Sequence, residues 1–280
     1  MKAEFTIVTP VRNGWPRIQP AVASVAAQRS TSVSLQHVVQ LHTDSTDASA
    51  DWLAGQHDIT LVTDRDQGMY DAIQRGLARS DAPYCGWLNS DEQYLPNTLN
   101  LVAKTFAEHP EVDFVFGNYL ILNHQELLIA ARREIPARSW YLRQGVNYIL
   151  SCTTFFRRSA WEKLGGFDLS YQRMADKELY LRAIQQGMKF LHLPCYLGVY
   201  GITGANISTD ELSASEQERL RRATGAWRSG LLRNLPRLVR VGEKLLRGCY
   251  GSRRIQTQLF DTDGQPRQID KIVGTSWRWQ

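Results

Sequence analysis

Through the first 116 residues, short apolar runs alternate with segments whose apolar residues recur at helical spacing, and this alternation narrows the fold more than any other feature of the chain. The runs are 5–10, 33–39, 59–63, 84–88 and 112–116, and the helical segments between them are 16–28, 47–53, 69–78 and 96–108. Pro16 and Pro96 suit first-turn positions, and Gly55 suits the place just after a helix end. Strands alternating with helices imply βαβ units and a mostly parallel sheet. From about residue 120 the alternation weakens, leading to a strand-like run at 152–156, helices at 159–164 and 176–186, and strand material at 190–199.

The run 84–88 stops abruptly on Asn89, Ser90, Asp91 and Glu92. In open α/β sheets ligands bind beyond the carboxyl ends of the strands. A carboxylate delivered there can hold a divalent cation through oxygen contacts, and the cation can neutralise a substrate phosphate. Spacing alone fits equally well an acidic turn ahead of the helix that opens near Pro96.

Composition sets the outer bounds. With 280 residues, 43% of them hydrophobic, the chain can bury a full core, as one large domain or two small ones. No stretch approaches the roughly 18 uninterrupted apolar residues of a membrane span, and the first ten residues do not resemble a signal peptide. A cytoplasmic protein is expected. Cys85, Cys152, Cys195 and Cys249 lie too far apart for a close-spaced zinc pattern or a dense disulfide framework, and read as reduced thiols. The net charge of +5 conceals an asymmetry: residues 219–254 carry eleven Lys/Arg against the single acid Glu243, a local balance of +10, and the remainder is mildly acidic.

Seven stretches in order carry a resemblance to family-2 glycosyltransferases: FTIVTPVRN, STDAS, DRDQGMYDAIQRG, GWLNSDEQYLPNTL, FGNY, TTFFRRSAWEKLGGFD and ADKELYLRA, which together cover about residues 5–208. The resemblance implies an α/β fold of GT-A type, with a mostly parallel Rossmann-like central sheet flanked by helices. It divides the chain into a glycosyltransferase domain at 1–208 and a basic helical C-terminal extension at 209–280. It also implies an inverting, metal-dependent enzyme. Such an enzyme moves a hexosyl or related group from a nucleotide-sugar donor to a hydroxyl of a glycan or lipid-linked acceptor, a chemistry of surface polysaccharide synthesis.

Site roles follow residue by residue from that resemblance. Asp91 closes the family's D-x-D element and would hold Mn²⁺ or Mg²⁺; the element's first Asp is Asn89 here, whose amide can still bond a ribose hydroxyl. Ser90 lies between them, and Glu92 is an additional acid. Thr9, Pro10, Val11 and Asn13 end the first strand where family members pass around the nucleoside, although the residues alone fit an ordinary strand-to-helix loop. The family's nucleoside-binding Asp is displaced by one residue, with Asp44 as candidate replacement. Asp66, Gln67 and Gly68 fall near the nucleotide or sugar and Arg75 near the diphosphate, although a loop and an i,i+4 pair of Asp71 with Arg75 account for the same residues. Asp176 matches the catalytic base, with Glu178 as second choice; on its own an Asp at a helix start is most often an N-cap. Where many relatives carry Arg and His after the last strand, this chain has Gly201 and Thr203, which leaves Arg143, Arg157 or the basic tail to assist the leaving group.

On a helical wheel Leu238, Val239, Val241, Leu245, Leu246 and Cys249 fall opposite Arg237, Arg240, Lys244 and Arg247. Such a helix suits an anionic membrane surface at the inner face of the plasma membrane, or packing of its apolar side on the catalytic domain or another subunit. Nucleic-acid binding is not expected, since no recognisable motif accompanies the charge. Two other readings stand beside the transferase: a non-catalytic nucleotide-sugar or glycan-binding relative, and a metal-dependent nucleotidyltransferase.

Overall fold

The computed structural model describes residues 3–30, 33–202, 211–227 and 230–275. Its first half follows the alternation: β1 (Phe5–Val11), α1 (Ile18–Ala26), β2 (Leu35–His42), α2 (Ser49–Ala54), β3 (Thr60–Asp64), α3 (Met69–Leu77) and β4 (Tyr84–Trp87). These strands pair in parallel in the order β3-β2-β1-β4. Then come β5 (Gln93–Tyr94), α4 (Thr98–Glu108), β6 (Phe114–Leu122), β7 (Leu128–Arg132), α5 (Ser139–Arg143), β8 (Thr154–Arg157), α6 (Arg158–Leu164), α7 (Ala175–Gln185) and β9 (Phe190–Gly201). The sheet continues β4-β8-β6-β9-β5, with β7 also on β6, and here it is mixed: β8 runs antiparallel to both its neighbours while β6 and β9 are parallel.

Burial on both faces explains why these strands read as continuous apolar runs rather than alternating ones. On β1, Phe5 and Ile7 belong to one core, with α1 and α4, and Val8 belongs to the other, with α3 and α7. Gly76 of α3 allows that second layer to close, because a Cβ there would stand 2.5 Å from a methyl of Val8. Arg157, at the end of β8, lies against the stacked rings of Tyr84 and Phe106 and donates to the carbonyls of Phe106, His109 and Val112. It fastens α4 to the sheet and does not line the cleft described below.

The C-terminal stretch contains α8 (Glu211–Ala223) and α9 (Gly230–Leu246), and also a hairpin of β10 (Arg253–Phe260) and β11 (Pro266–Val273). The hairpin departs from the expected all-helical extension. Its Ile255, Leu259 and Val273 pack on Leu95, Leu120 and Val199, and the amide of Gln93 makes a reciprocal pair with the backbone of Phe260. The expected boundary at residue 208 lies outside the described residues.

α9 sits the opposite way from an ordinary surface helix. Arg240 and Lys244 face inward and share the carboxylate of the buried Glu134, while Arg138 and Arg247 share that of Glu243. The apolar side is therefore turned out: Leu238 is 66% and Leu246 is 92% exposed, with Val239 and Leu245 also exposed, and only Cys249 of that set is buried. A buried acid needs paired cations more than apolar side chains need burial, which decides the helix's rotation against the packing of its apolar side on the catalytic domain.

α8 performs a second fastening. Its buried Glu216 accepts the backbone N–H groups of Gln172, Arg173 and Met174 at 2.7, 2.8 and 3.0 Å, the loop immediately before α7. Glu216→Ala leaves those donors without a partner and is expected to cost about 3 kcal/mol, lowering Tm by roughly 5–10 °C in a melting curve; a Tm within about 2 °C of the parent would remove this clamp from the account.

Candidate functional site

The carboxyl ends of β1, β2, β3 and β4, the start of α7 and the inner side of α9 surround one open cleft of about 1610 Å³. Of the residues expected at a site, Pro10, Val11, Asn13, Asp44, Asp66, Gly68, Asn89, Ser90, Asp91 and Asp176 all line it. Thr9 does not: its hydroxyl pairs with Nε2 of His37 at 2.8 Å, inside the β1–β2 layer. Thr9 stands two residues short of the end of β1, inside its fully buried stretch, where its side chain meets the neighbouring strand rather than the cleft.

At one end of the cleft the loops brace one another. Asn13, at φ 53°, accepts the N–H of Thr46 on its side-chain oxygen at 2.8 Å. Asp66 accepts the N–H of Gly68 at 2.9 Å, and Gly68, at φ 133°, holds a backbone conformation that favours glycine. Buried His42 stands between the two expected acids, 3.9 Å from a carboxylate oxygen of each of Asp44 and Asp66, and its Nδ1 accepts the N–H of Asp44. Arg75 is turned elsewhere: it pairs with Asp64 and Asp71 at 3.0 Å each, outside the cleft, and Asp71 in turn accepts the N–H of Gln67. Its role is to hold the 66–68 loop, not to meet a diphosphate.

At the end of β4 the acids occupy a tight turn. The N–H of Asn89 donates to Oε2 of Glu92 at 3.0 Å, and the N–H of Glu92 donates back to the carbonyl of Asn89 at 3.1 Å. Burial raises Asp91 above the usual carboxylate range, with Arg17 opposing the rise. Burial, followed by the neighbouring charge of Asp91, pushes Glu92 up to about 8. Oδ1 of Asn89 and Oε1 of Glu92 are buried without a protein partner. Among the described residues no three His, Cys, Asp or Glu form a metal cage, but a hard cation held through one or two carboxylates and substrate phosphates needs none. Asp91 with these two unpaired oxygens fits such an ion. Gly201 explains the lost Arg of the family's pattern: a Cβ there would stand 2.5 Å from the carbonyl oxygen of Asp91, so the turn leaves no room for a side chain. Thr203 lies outside the described residues.

Facing this turn, Asp176 lies in the first turn of α7. It is not the N-cap: Met174 holds that place and no side chain caps it. Instead Oδ1 of Asp176 accepts the hydroxyl of Tyr70, on α3, at 2.9 Å. Burial raises the carboxyl, while Lys177 and the Tyr70 hydroxyl draw it down. The alternative acid, Glu178, is clamped by Arg182 at 2.6 Å and does not line the cleft. Tyr70, His42 and Glu216 are the functional neighbours that sequence reasoning passes over; only the third-dimensional meeting of α3, β2 and α8 with the site singles them out. Of the residues expected to assist a leaving group, neither Arg143 nor Arg157 lines the cleft, whereas Arg237, Arg240 and Lys244 of α9 do.

Comparisons with known proteins agree with this architecture. Residues 6–165 match the family described as Glycosyl transferase family 2. A PGL/p-HBAD biosynthesis glycosyltransferase of Mycobacterium bovis is 27% identical over 181 residues, covering 64% of this chain and 68% of that protein. Among solved structures, S. aureus TarS 1–349 in complex with UDP-GlcNAc superposes with a TM-score of 0.61 at 14% identity, covering 88% of this chain and 73% of TarS. The mannosyltransferase PcManGT of Pyrobaculum calidifontis, in complex with GDP-Man and Mn²⁺, gives 0.54 at 20% identity, covering 88% and 65%. At these identities the superpositions show the GT-A fold.

The raised Glu92 makes a sign-definite prediction. Its folded value of about 8 lies above its ordinary 4.5, so the stability it contributes is fully present below pH 4.5 and is lost as pH rises through 8. Glu92→Gln is expected to remove that loss: at pH 9 the variant should melt about 5 °C or more above the parent, with the advantage shrinking toward pH 5. Parallel melting curves that keep the same separation at both pH values would contradict the assignment.

Proposed function

The chain belongs to glycosyl transferase family 2, and from that premise we propose that it transfers a sugar, with inversion at the anomeric carbon, from a nucleotide-sugar donor to a hydroxyl of a glycan or lipid-linked saccharide. The observation that carries this reading is the meeting of Asp91 and Asp176 in one cleft whose far end is framed by Pro10, Val11, Asp44 and Asp66. The nucleoside would occupy that far end, and its diphosphate would reach back toward Asp91. TarS with UDP-GlcNAc supports a donor of this class.

Asp176 accepts the proton of the acceptor hydroxyl as that oxygen attacks, and Tyr70 orients the carboxylate by its hydrogen bond. Inversion follows from a single displacement with base and leaving group on opposite sides. Asp91, with Asn89 and Glu92 beside it, would hold Mn²⁺ or Mg²⁺, which when bound supplies positive charge against the departing diphosphate. The Mn²⁺ complex of PcManGT supports this assignment. Burial holds the half-buried Lys177 ammonium below its ordinary value, but its charge beside Asp176 still opposes the rise of that carboxyl and favours the ionised form that a base requires.

We further place the reaction in surface polysaccharide synthesis at the cytoplasmic face of the plasma membrane, where the outward Leu238, Val239, Leu245 and Leu246, flanked by exposed Arg237 and Arg247, supply an interfacial seat. No helix among the described residues is long and apolar enough to cross a membrane.

The test is a screen of nucleoside diphosphates and nucleotide sugars by thermal shift with and without Mn²⁺, followed by product analysis. A ligand that binds the folded state raises Tm, and the account expects metal-dependent binding, nucleoside diphosphate as product, and loss of the metal-dependent shift in Asp91→Asn at unchanged ligand-free Tm. Pyrophosphate as product would make the protein a nucleotidyltransferase, binding without turnover would make it a non-catalytic relative, and a shift retained in Asp91→Asn would remove the metal assignment.

A further inference from the structure

At the base end, the cleft adjoins a smaller recess of about 20 Å³ that takes no part in the chemistry above. Gly145, Asn147, Lys177 and Gln217 line both cavities and so form the mouth of the recess, while Leu142, Leu181 and Leu220 form its floor. Its lining comes from α5, α7, α8 and the loop after α5, and no residue at the ends of β1, β2, β3 or β4 reaches it. The recess therefore stands apart from the half of the cleft assigned to the nucleotide. It lies instead on the side of the base, since Lys177 directly follows Asp176.

α8 holds this corner in shape. Besides binding the 172–174 loop through Glu216, it fastens the 143–147 loop: Arg221 donates to the carbonyls of Gln144 and Trp227, Thr224 to that of Arg143 at 2.8 Å, and Gln217 to that of Gly145 at 3.3 Å. Arg221 and Thr224 also line the recess, but these hydrogen bonds go to backbone. The mouth differs. Among the described residues Asn147 accepts the N–H of Ile149 at 3.3 Å while its amide nitrogen donates to nothing, and the Gln217 side-chain oxygen accepts nothing. The Lys177 ammonium meets only the thioether of Met174, at 2.8 Å, a weak acceptor. An ordered water in so small a space needs about two to four polar partners, and a floor of three leucines offers none. A methyl group suits both the volume and the floor. At the mouth, a free amide N–H₂ and a free amide C=O complement the C=O and N–H of another amide. A methyl joined to an amide is an acetamido group.

We propose that this corner is a subsite for an acceptor sugar that carries an acetamido group. Its methyl enters the recess, Asn147 donates to its carbonyl, Gln217 accepts its N–H, and Lys177 donates to a hydroxyl of the same ring, which directs the attacking hydroxyl toward Asp176. The proposal rests on the transferase reading of the cleft and adds to it the chemical class of the acceptor.

The experiment is a saturation-transfer NMR titration of the full chain, with Mn²⁺ and the nucleoside diphosphate that binds most tightly already in place. The probes are the methyl glycosides of N-acetylglucosamine, N-acetylgalactosamine and N-acetylmannosamine beside those of glucose, galactose and mannose. At least one acetamido sugar should bind at least about tenfold more tightly than its hydroxyl parent, with the strongest saturation on the acetyl methyl. Leu220→Phe, which fills the recess, and Asn147→Leu, which removes the donor at its mouth, should each abolish that preference and leave nucleoside diphosphate affinity unchanged. Asn147→Leu decides alone if Leu220→Phe does not fold. Binding of none of the glycosides, equal binding of acetamido and parent sugars, or a preference that survives in the folded variants would overturn the subsite. Loss in these variants of a preference for an acetamido nucleotide sugar over its hydroxyl parent would give the recess to the donor sugar and overturn the acceptor assignment. Failure of the transferase reading is seen separately, as absence of nucleotide binding before any glycoside is added.

Discussion

A parallel sheet that buries both faces can deliver charged groups to solvent only at its ends, and the cost of desolvating carboxyls at the end of β4 governs the rest of this molecule. Asp91, Glu92 and Asp176 are all raised by burial. Each meets a different partner: the charge of Arg17 acts on Asp91, the N–H of Asn89 in the same turn binds Glu92, and the Tyr70 hydroxyl from α3 binds Asp176. These partners separate the acids chemically. Glu92 is held in its neutral form through most of the physiological range, while Asp176, beside Lys177, has support for its charge. Environments that push neighbouring acids apart are the arrangement from which acid and base roles arise.

The C-terminal stretch serves the same end. Glu216 ties down the loop that leads into α7, and with it the position of Asp176. Glu134 draws α9 over the open side of the cleft by its basic face, and the apolar face is left outside as a consequence. An amphipathic helix of this kind is bistable in sequence terms: hydrophobic burial would rotate it one way and ion pairing the other. Removing either cationic partner from a buried carboxylate costs about 3–5 kcal/mol, more than the roughly 1.5–3 kcal/mol gained by burying any one leucine, and two such partners are at stake here.

Much of this was legible beforehand where the signal was local. Residues 84–92 announce a buried strand ending in acids, and the βαβ alternation places that end beside the ends of β1, β2 and β3. What escaped is nonlocal. Tyr70 is one aromatic among many until α3 brings it to Asp176, and the pairing of Arg75 with Asp64 as well as Asp71 requires knowing how β3 meets α3. Thr9 was misplaced because the residue that occupies its hydroxyl, His37, belongs to a neighbouring strand 28 residues later. The rotation of α9 could not be read from its wheel, since the acid that decides it, Glu134, lies 110 residues earlier than Lys244.

The central claim is that Asp176 is the proton acceptor. Its side chain caps no helix, and Asn is nearly the same size, so Asp176→Asn removes the base with little change in packing. The deciding measurement is the transfer rate of this variant at saturating donor and acceptor, beside its melting curve and donor affinity. The account predicts unchanged Tm and donor affinity with transfer lowered at least about 10²-fold; a rate equal to that of the parent protein would contradict it.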